Sequence, residues 1–412
     1  MSPPTSPTRI LILGSGVVGS SLASHLSFLT HPSHTLPPGY TVQVLSPPTL
    51  TTSTSLAPGL IGQLNALPSL TTLAKSSVRA YLTLPQGAFN QVGGLEIAST
   101  PEGIKIAGLA PQFHDRDGVS KGLYFPSDGV AEPSRIVDAY QVSARANGVE
   151  FIEATALGIK LLNGVAKGVN TSAGFIGADK IIVASGIWSA DLLKDLFHTP
   201  VIPVAHPYIH GSPRPVRGTA SPFVRWPEKG VYGRDHGACE GFRTYDHAPL
   251  PVDAGEGAEK GWVPEFDDAV GRALGLFPEE TRRGLTAEGG RRFNGVFAVT
   301  PDGLPVAGPV GGVKGLWVAA GVWVTHAMGV VELIAKMVLK EERRERRGYE
   351  EGDEDRDVEW DDEDEVEEVE VVDEEEEGLR RALDPGRFGG SGVEELRREA
   401  GGRYNDIYNL ME

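Results

Sequence analysis

The stretch RILILGSGVVGSSLASHL, residues 9–26, carries the reading of the fold. Ile10 to Leu13 form an uninterrupted apolar run, the pattern of a strand buried on both faces of a parallel sheet. The run ends in Gly14-Ser15-Gly16-Val17-Val18-Gly19, after which Val18, Leu22, Leu26 and Leu29 recur at helical spacing. In a strand–turn–helix of this kind the first glycine permits the tight turn and the second lets a pyrophosphate approach the backbone. The third lets the helix pack closely on the strand. The free N–H groups of the helix start then face the phosphates.

The second strand reads YTVQVL, Tyr40 to Leu45, and ends in Ser46. A routine NAD site places an acidic residue at this end, where it accepts hydrogen bonds from the ribose diol. No Asp or Glu precedes Glu96, so Ser46 offers only a neutral contact. The turn predicts a nucleotide without deciding which one.

At 412 residues the chain has room for two domains with substantial cores. Its net charge of −18 is concentrated: residues 349–378 hold 20 acidic residues and one Arg, leaving 36 acids against 37 bases elsewhere. The body is thus close to neutral and its charge says little about partners; no nucleic-acid partner is expected. The acidic run reads as a solvated, disordered insertion without a specific partner, with a docking tail for a basic partner as the alternative. One cysteine, Cys239, excludes a disulfide framework and a cysteine-rich metal site, and no metal is expected. The N-terminus has no apolar signal core. The most apolar stretch, residues 315–339, is broken by Thr325, His326, Glu332 and Lys336, so no membrane span is expected. A soluble protein of the cytoplasm is the resulting expectation.

Further along, residues 51–62 (TTSTSLAPGLIG) read as a loop, and Ser69 to Leu82 as a helix. The alternation from Gly93 to Ile106 predicts a hairpin about Pro101-Glu102-Gly103. A helix from Arg135 to Asn147 and a strand from Val149 to Ala154 follow, then a short hairpin and a buried strand from Lys180 to Ala184. Residues 200–249 suggest a separate antiparallel sheet, 252–261 a flexible connection, and Pro264 to Gly284 a helical region. One strong helix runs from Thr325 to Lys340.

Four pieces in order then stand out: the turn Gly14 to Gly19, TSTSLAPGLIG (52–62), DKIIVASGIWSADL (179–192), and TPDGLPVAGPVGGVKGLWVAAGVWVTHAMGVVELIAKMVL (300–339). The ordered set resembles the FAD-dependent D-amino acid oxidase, sarcosine and dimethylglycine oxidoreductase superfamily. The resemblance implies an α/β fold in which a glutathione-reductase-like FAD-binding Rossmann domain is assembled from residues 9–62, 122–198 and 291–340. An antiparallel-sheet substrate domain would come from 63–121 and 199–290, followed by a disordered acidic insertion over 341–378 and a helical segment over 379–412.

It also implies a set of FAD contacts. They are the turn Gly14, Ser15, Gly16, Val17, Val18 and Gly19; Ser46; Ser53, Thr54 and Ser55 of the second loop; and Ala184, Ser185, Gly186 and Trp188 of a second turn. Asp302 would meet the ribityl chain. Gly321, Trp323, Thr325, His326 and Ala327, where the last helix begins, would face the flavin, where a helix N-terminus stabilises the negative charge of the reduced ring. Turn formation accounts for Asp302 equally well, and local capping for His326.

In relatives that tether the flavin covalently, the attachment positions correspond here to Leu56 and Gly295, so the resemblance implies a dissociable FAD. It further implies that the hairpin GVYGRDHGACEGFRTYDHAPL (230–250) fixes a substrate carboxylate, with Tyr232, Arg234, Arg243 and His326 as candidates and His236, Tyr245 and His247 nearby. The expected reaction is oxidation of an amine or amino-acid C–N bond by hydride transfer to the flavin, followed by hydrolysis of the imine. No catalytic base is assigned. Two alternatives remain open at this point: an NAD(P)-dependent Rossmann dehydrogenase, which the missing carboxylate disfavours, and a nucleotide-binding protein without catalysis.

Overall fold

The structure, a computed structural model, describes residues 7–29, 39–48, 51–98, 121–218, 220–351 and 373–405. Thr8–Leu13 and Tyr40–Ser46 are parallel neighbours, in register from Thr8↔Tyr40 to Leu13↔Leu45, and the helix Val17–Leu29 opens directly after the glycine turn. They belong to a sheet that, among the described residues, has six strands ordered Val306–Pro309, Leu316–Ala320, Lys180–Val183, Thr8–Leu13, Tyr40–Ser46, Glu150–Glu153. Its first pair is antiparallel and the rest are parallel.

The inner strands are apolar throughout because both faces are covered. Ile10 and Ile12 pack in a core with the helices Val17–Leu29, Pro133–Ala146 and Ala327–Glu351. Leu11 and Leu13 face the opposite core, which includes Ala166 and Val169 of the small sheet Ala156–Leu162, Val165–Thr171, Gly174–Gly177. Full burial of side chains this size contributes roughly 1.5–3 kcal/mol each.

Among the described residues the second large sheet has nine strands and is mainly antiparallel. Its spine is the pair Ile202–His210 and Arg291–Val299, joined from Ile202↔Val299 to His210↔Arg291. Glu240–Thr244, Val231–Asp235, Phe223–Trp226, Gly94–Ala98 and Lys121–Phe125 extend it in that order. Two stretches that the sequence assigns to the nucleotide-binding segments therefore belong here instead. Residues 291–299 pair with Ile202–His210, and 122–125 with Gly94–Ala98, because their alternation finds a complementary strand in this sheet. The second half of the hairpin expected about Pro101 lies outside the described residues.

Three other expectations change in detail. The region Pro264 to Gly284 forms two helices, Asp267–Leu274 and Glu279–Thr286, parted at Gly275 and Pro278, where proline removes a helix donor. The connection 252–261 contributes an edge strand, Glu259–Lys260, on Arg291–Val299. The last long helix is Ala327–Glu351, entered through a 3-10 turn at Val324–His326, so it runs past Lys340 into residues expected to be disordered. There the buried Lys180 ammonium meets Glu341 at 2.5 Å and Glu342 at 3.5 Å, while Thr8 donates to Glu342 at 2.6 Å. These ties fasten the extended helix to the parallel sheet. A further helix, Glu374–Leu383, starts inside the acidic run, its amides capped by Asp373. The insertion expected over 341–378 is thus helical at 341–351 and 374–378, while 352–372 lie outside the described residues.

From the last residues of the acidic run onward the chain returns to the body as a strap. Glu376 pairs with Lys336 at 3.1 Å, Thr72 donates to Glu375 at 2.9 Å, and Arg387 grips Asp302. The helix Val393–Asn405 then buries Tyr404 against the antiparallel sheet. Among the described residues no helix is long and apolar enough to cross a membrane.

Candidate active site

One cavity of about 930 Å³ lies between the two sheets, and its lining joins segments from both ends of the chain. At one end it is lined by Gly14, Ser15, Gly16, Val17 and Val18. Gly14 has φ +113°, and its amide donates to Leu45 at 3.0 Å. A Cβ there would lie 2.5 Å from the Ala184 carbonyl oxygen, so the first turn and the Ala184-Ser185-Gly186 turn are in contact only because Gly14 has no side chain. Gly19 lies one turn into the helix and outside the lining. A Cβ on it would lie 1.9 Å from the Gly14 carbonyl oxygen, so its role is helix-to-turn packing.

Ser46 lines the same end and its hydroxyl shares a 2.7 Å hydrogen bond with that of Ser15. Ser53 and Thr54 line it too. Thr54 Oγ1 accepts from the Val17 amide at 3.2 Å, tying the second loop to the helix start. The Ser53 hydroxyl is buried and meets no protein partner. Ser55 does not line the cavity: it closes a capping box with Thr52, which uses its hydroxyl and its amide. Ala184, Ser185, Gly186 and Trp188 are in the lining, with Ser185 Oγ donating to Leu13 O at 2.9 Å and Trp188 Nε1 to Ala254 O at 2.8 Å.

The other end is formed by Gly321, Trp323, Thr325 and His326. Three bonds fix this turn: Trp323 Nε1 donates to Ala298 O at 2.9 Å, Thr325 Oγ1 to Leu60 O at 3.1 Å, and the Tyr81 hydroxyl to Val324 O at 2.7 Å. Ala327 is fully buried in the core and outside the lining. Asp302 is also outside it. Its carboxylate takes both arms of the Arg387 guanidinium, at 2.8 and 3.1 Å, and accepts from the Leu304 amide, so it fixes a turn and a strap.

Of the hairpin candidates, Tyr232 and Arg243 line the cavity, and Tyr245 and Phe297 stand beside them. The Arg243 guanidinium lies 5.0 Å from the Tyr208 ring centroid and donates to Leu56 O at 3.4 Å, while its Nε is buried with no protein partner. Arg234 is placed elsewhere. Its guanidinium is spent on Pro58 O at 2.5 Å, Ala131 O at 2.8 Å and Glu132 at 2.6 Å, so it clamps two loops and leaves the cavity to Arg243. His236 and His247 are also outside the lining. Sequence reasoning misses a further pair: Arg225 and Glu96, 2.5 Å apart, both line the cavity. The only trace of it in the sequence is that Glu96 is the first acidic residue of the chain.

Leu56 and Gly295 face each other, since a Cβ on Gly295 would lie 3.8 Å from that of Leu56. Neither residue carries a nucleophile.

His326 is buried and its Nε2 meets no protein partner. Desolvation pushes its pKa down to about 3, so the ring is neutral near pH 7. His206 is buried as well, and desolvation, with Arg243 and His247 adding to it, holds its pKa well below the ordinary value. Acid lability follows from the sign of these shifts. The unfolded chain takes up a proton at each of these histidines below about pH 6.5, whereas the folded chain does so only at much lower pH. Their contribution is complete above that value and is lost on acidification toward the native pKa. For His326 the loss approaches about 1.4 kcal/mol per pH unit. Thermal unfolding followed from about pH 7 to pH 5 should show a falling midpoint, and His326→Asn should flatten part of that fall.

The sequence pattern of the family described as "FAD dependent oxidoreductase" matches residues 9–337. Among curated proteins, mitochondrial dimethylglycine dehydrogenase of Rattus norvegicus is 26% identical over 391 residues, covering 82% of this chain and 44% of that protein. The 4-methylaminobutanoate oxidase (formaldehyde-forming) of Paenarthrobacter nicotinovorans is 24% identical, covering 80% of this chain and 43% of that one. The chain therefore spans less than half the length of these curated relatives. Among solved structures, L-proline dehydrogenase from P. horikoshii superposes with a TM-score of 0.67 at 20% identity, over 84% of this chain and 99% of that one. Glycine oxidase from Bacillus cereus gives 0.64 at 19% identity, over 80% and 97%. With the family pattern running from the opening strand into the last long helix, and with the end of that strand and the 3-10 turn that enters that helix lining one cavity, the chain belongs to the FAD dependent oxidoreductase family.

Proposed function

We propose that this chain is a soluble, cytoplasmic enzyme that binds FAD without a covalent link. It oxidises the C–N bond of an amino acid or of a secondary or tertiary amine. The observation that carries this reading is the shared cavity: residues 14–18 and 321–326 line one space, as a clasp on an extended dinucleotide requires.

The donor set suits FAD. Gly14, Ser15, Gly16 and the start of the helix Val17–Leu29 would take the pyrophosphate, and Ser46 with Ser15 the ribose hydroxyls. Thr325 and His326 would hold the flavin edge. The unpartnered Ser53 Oγ and His326 Nε2 are the buried polar atoms a ligand is needed to satisfy. The bound cofactor supplies a two-electron acceptor for the hydride of the amine carbon, leaving an imine that water converts to amine and carbonyl. The protein contributes position and dryness. Arg243, with Tyr232 beside it, fixes a substrate carboxylate so that the adjacent carbon faces the ring. Phe297, Tyr245 and Trp323 keep bulk water from the reacting carbon. His326, neutral near pH 7, holds no proton to exchange with the amine.

Purified protein should be yellow and release FAD on denaturation, and its colour should bleach when a carboxylate-bearing secondary amine is added without oxygen. A colourless protein that takes up no added FAD contradicts the reading. Arg243→Gln should raise KM for a carboxylate substrate by roughly ten- to a hundredfold. The methyl ester of the same amine should lose far less.

A further inference from the structure

Among the described residues, the charged side chains in the cavity lining are Glu96, Asp191, Arg225 and Arg243. Asp191 lies on the short helix Ser189–Leu193 beside Trp188, at the glycine-turn end. The other three stand in one row across the antiparallel sheet. Glu96 is paired in register with Arg225, Arg225 with Tyr232, and Tyr232 with Arg243. Partners in register project from the same face of a sheet. With neighbouring strands about 4.8 Å apart, the backbones of Arg225 and Arg243 are separated by roughly 10 Å.

The two ends of this row differ in charge. At one end Arg243 has no carboxylate within salt-bridge distance among the described pairs, and its Nε meets no protein acceptor. At the other, Arg225 Nη2 and Glu96 Oε1 form a 2.5 Å pair whose side chains are 11% and 13% exposed, enough to reach the cavity. Gly62 makes room for it, since a Cβ there would lie 2.8 Å from Arg225 Nη2. Asp128, behind the pair, accepts from the Gln63 amide at 3.0 Å and does not line the cavity.

The geometry points to a substrate with a zwitterionic tail: a secondary amine with a carboxylate next to its reacting carbon, joined by a short aliphatic spacer to an α-amino-acid head group. Arg243 takes the first carboxylate. The tail ammonium sits on Glu96 and the tail carboxylate on Arg225, so cation and anion each meet their complement. The row carries a net charge of +1, and this substrate in its reacting form, with the amine neutral, carries −1. The alternatives fit worse. A second bare carboxylate would lie against Glu96, and an apolar tail would cover an ion pair without bonding to it, which is costly. This inference rests on the oxidoreductase reading above and specifies its substrate.

The test uses the FAD-loaded protein with sarcosine, carboxymethyl-lysine modified on its side-chain nitrogen, and three analogues of the same length that lack the tail carboxylate, the tail ammonium or both. Carboxymethyl-lysine should exceed every analogue in kcat/KM by about tenfold or more, mainly through KM. Glu96→Gln should abolish the preference for the ammonium, and Arg225→Gln the preference for the carboxylate. Each preference is a ratio measured in one preparation, so a variant that folds or loads poorly still reports it. Equal rates for carboxymethyl-lysine and the analogue lacking both groups, while sarcosine or that analogue bleaches the flavin, overturn this inference alone. If no amine in the series bleaches the flavin, the oxidoreductase reading falls and takes this one with it.

Discussion

Gly16→Val should yield a folded protein that is colourless. A Cβ at position 16 would approach only Thr54 Oγ1, at 3.1 Å, a side-chain oxygen that a small rotation moves aside. The fold therefore tolerates the change. The valine methyl groups, however, would occupy the part of the cavity between Gly14 and the helix start, where the pyrophosphate must lie against the backbone. We expect FAD affinity to fall by roughly a hundredfold or more, with the unfolding midpoint of the cofactor-free protein lowered only slightly, through the Thr54 Oγ1 bond to the Val17 amide. Gly19→Ala supplies the contrast. Its Cβ would lie 1.9 Å from the Gly14 carbonyl oxygen, so helix and turn must separate and the apoprotein itself loses stability. Flavin fluorescence titration together with thermal unfolding of apoprotein distinguishes the two. Wild-type affinity in Gly16→Val would remove the pyrophosphate from this turn.

Tyr404→Ala should destabilise the protein by about 3–5 kcal/mol. The side chain is fully buried. Its hydroxyl is shared with His206 Nδ1 and, at 2.8 Å, His247 Nε2. Its ring centroid lies 5.3 Å from that of Tyr245 and 5.9 Å from that of Phe297, the two aromatics that wall the cavity. Truncation opens a void behind that wall and leaves both ring nitrogens of His206 without a partner, because its Nε2 already has none. Tyr404→Phe keeps the packing and should cost only about 1–2 kcal/mol. Urea unfolding at saturating FAD measures both, and a Tyr404→Ala protein within about 1 kcal/mol of wild type would contradict this account. Substrate KM should rise in the alanine variant and recover in the phenylalanine one.

What the sequence reveals about this molecule is what lies in local pattern. The apolar run Ile10 to Leu13, the glycine turn and the helix after it are read from one window, and so is Lys180 to Ala184. The start of the last helix at Thr325-His326 is legible for the same reason. The division of labour between Arg234 and Arg243 is not. Alternation places both on the cavity side of their strands, but register decides the outcome: Arg243 stands opposite Tyr232 in the cavity, while Arg234 stands opposite Gly241 and reaches Pro58 and Ala131. Asp302 misleads for a similar reason, since its partner Arg387 lies across the acidic run. The Arg225–Glu96 pair is invisible because it depends on a parallel pairing between strands more than a hundred residues apart. Tyr404 sits beyond the family pattern, in a helix whose polar composition gives no hint that one of its residues fills a core.

The strap also sets an order of events during synthesis. The glycine turn leaves the ribosome early, whereas Thr325, His326 and finally Tyr404 emerge only after most of the chain has been translated. A nascent polypeptide thus offers half a clasp, and a product truncated anywhere before the helix Val393–Asn405 lacks the stopper that seals the aromatic wall. Both parts of the cavity lining are therefore present together only once translation has passed His326.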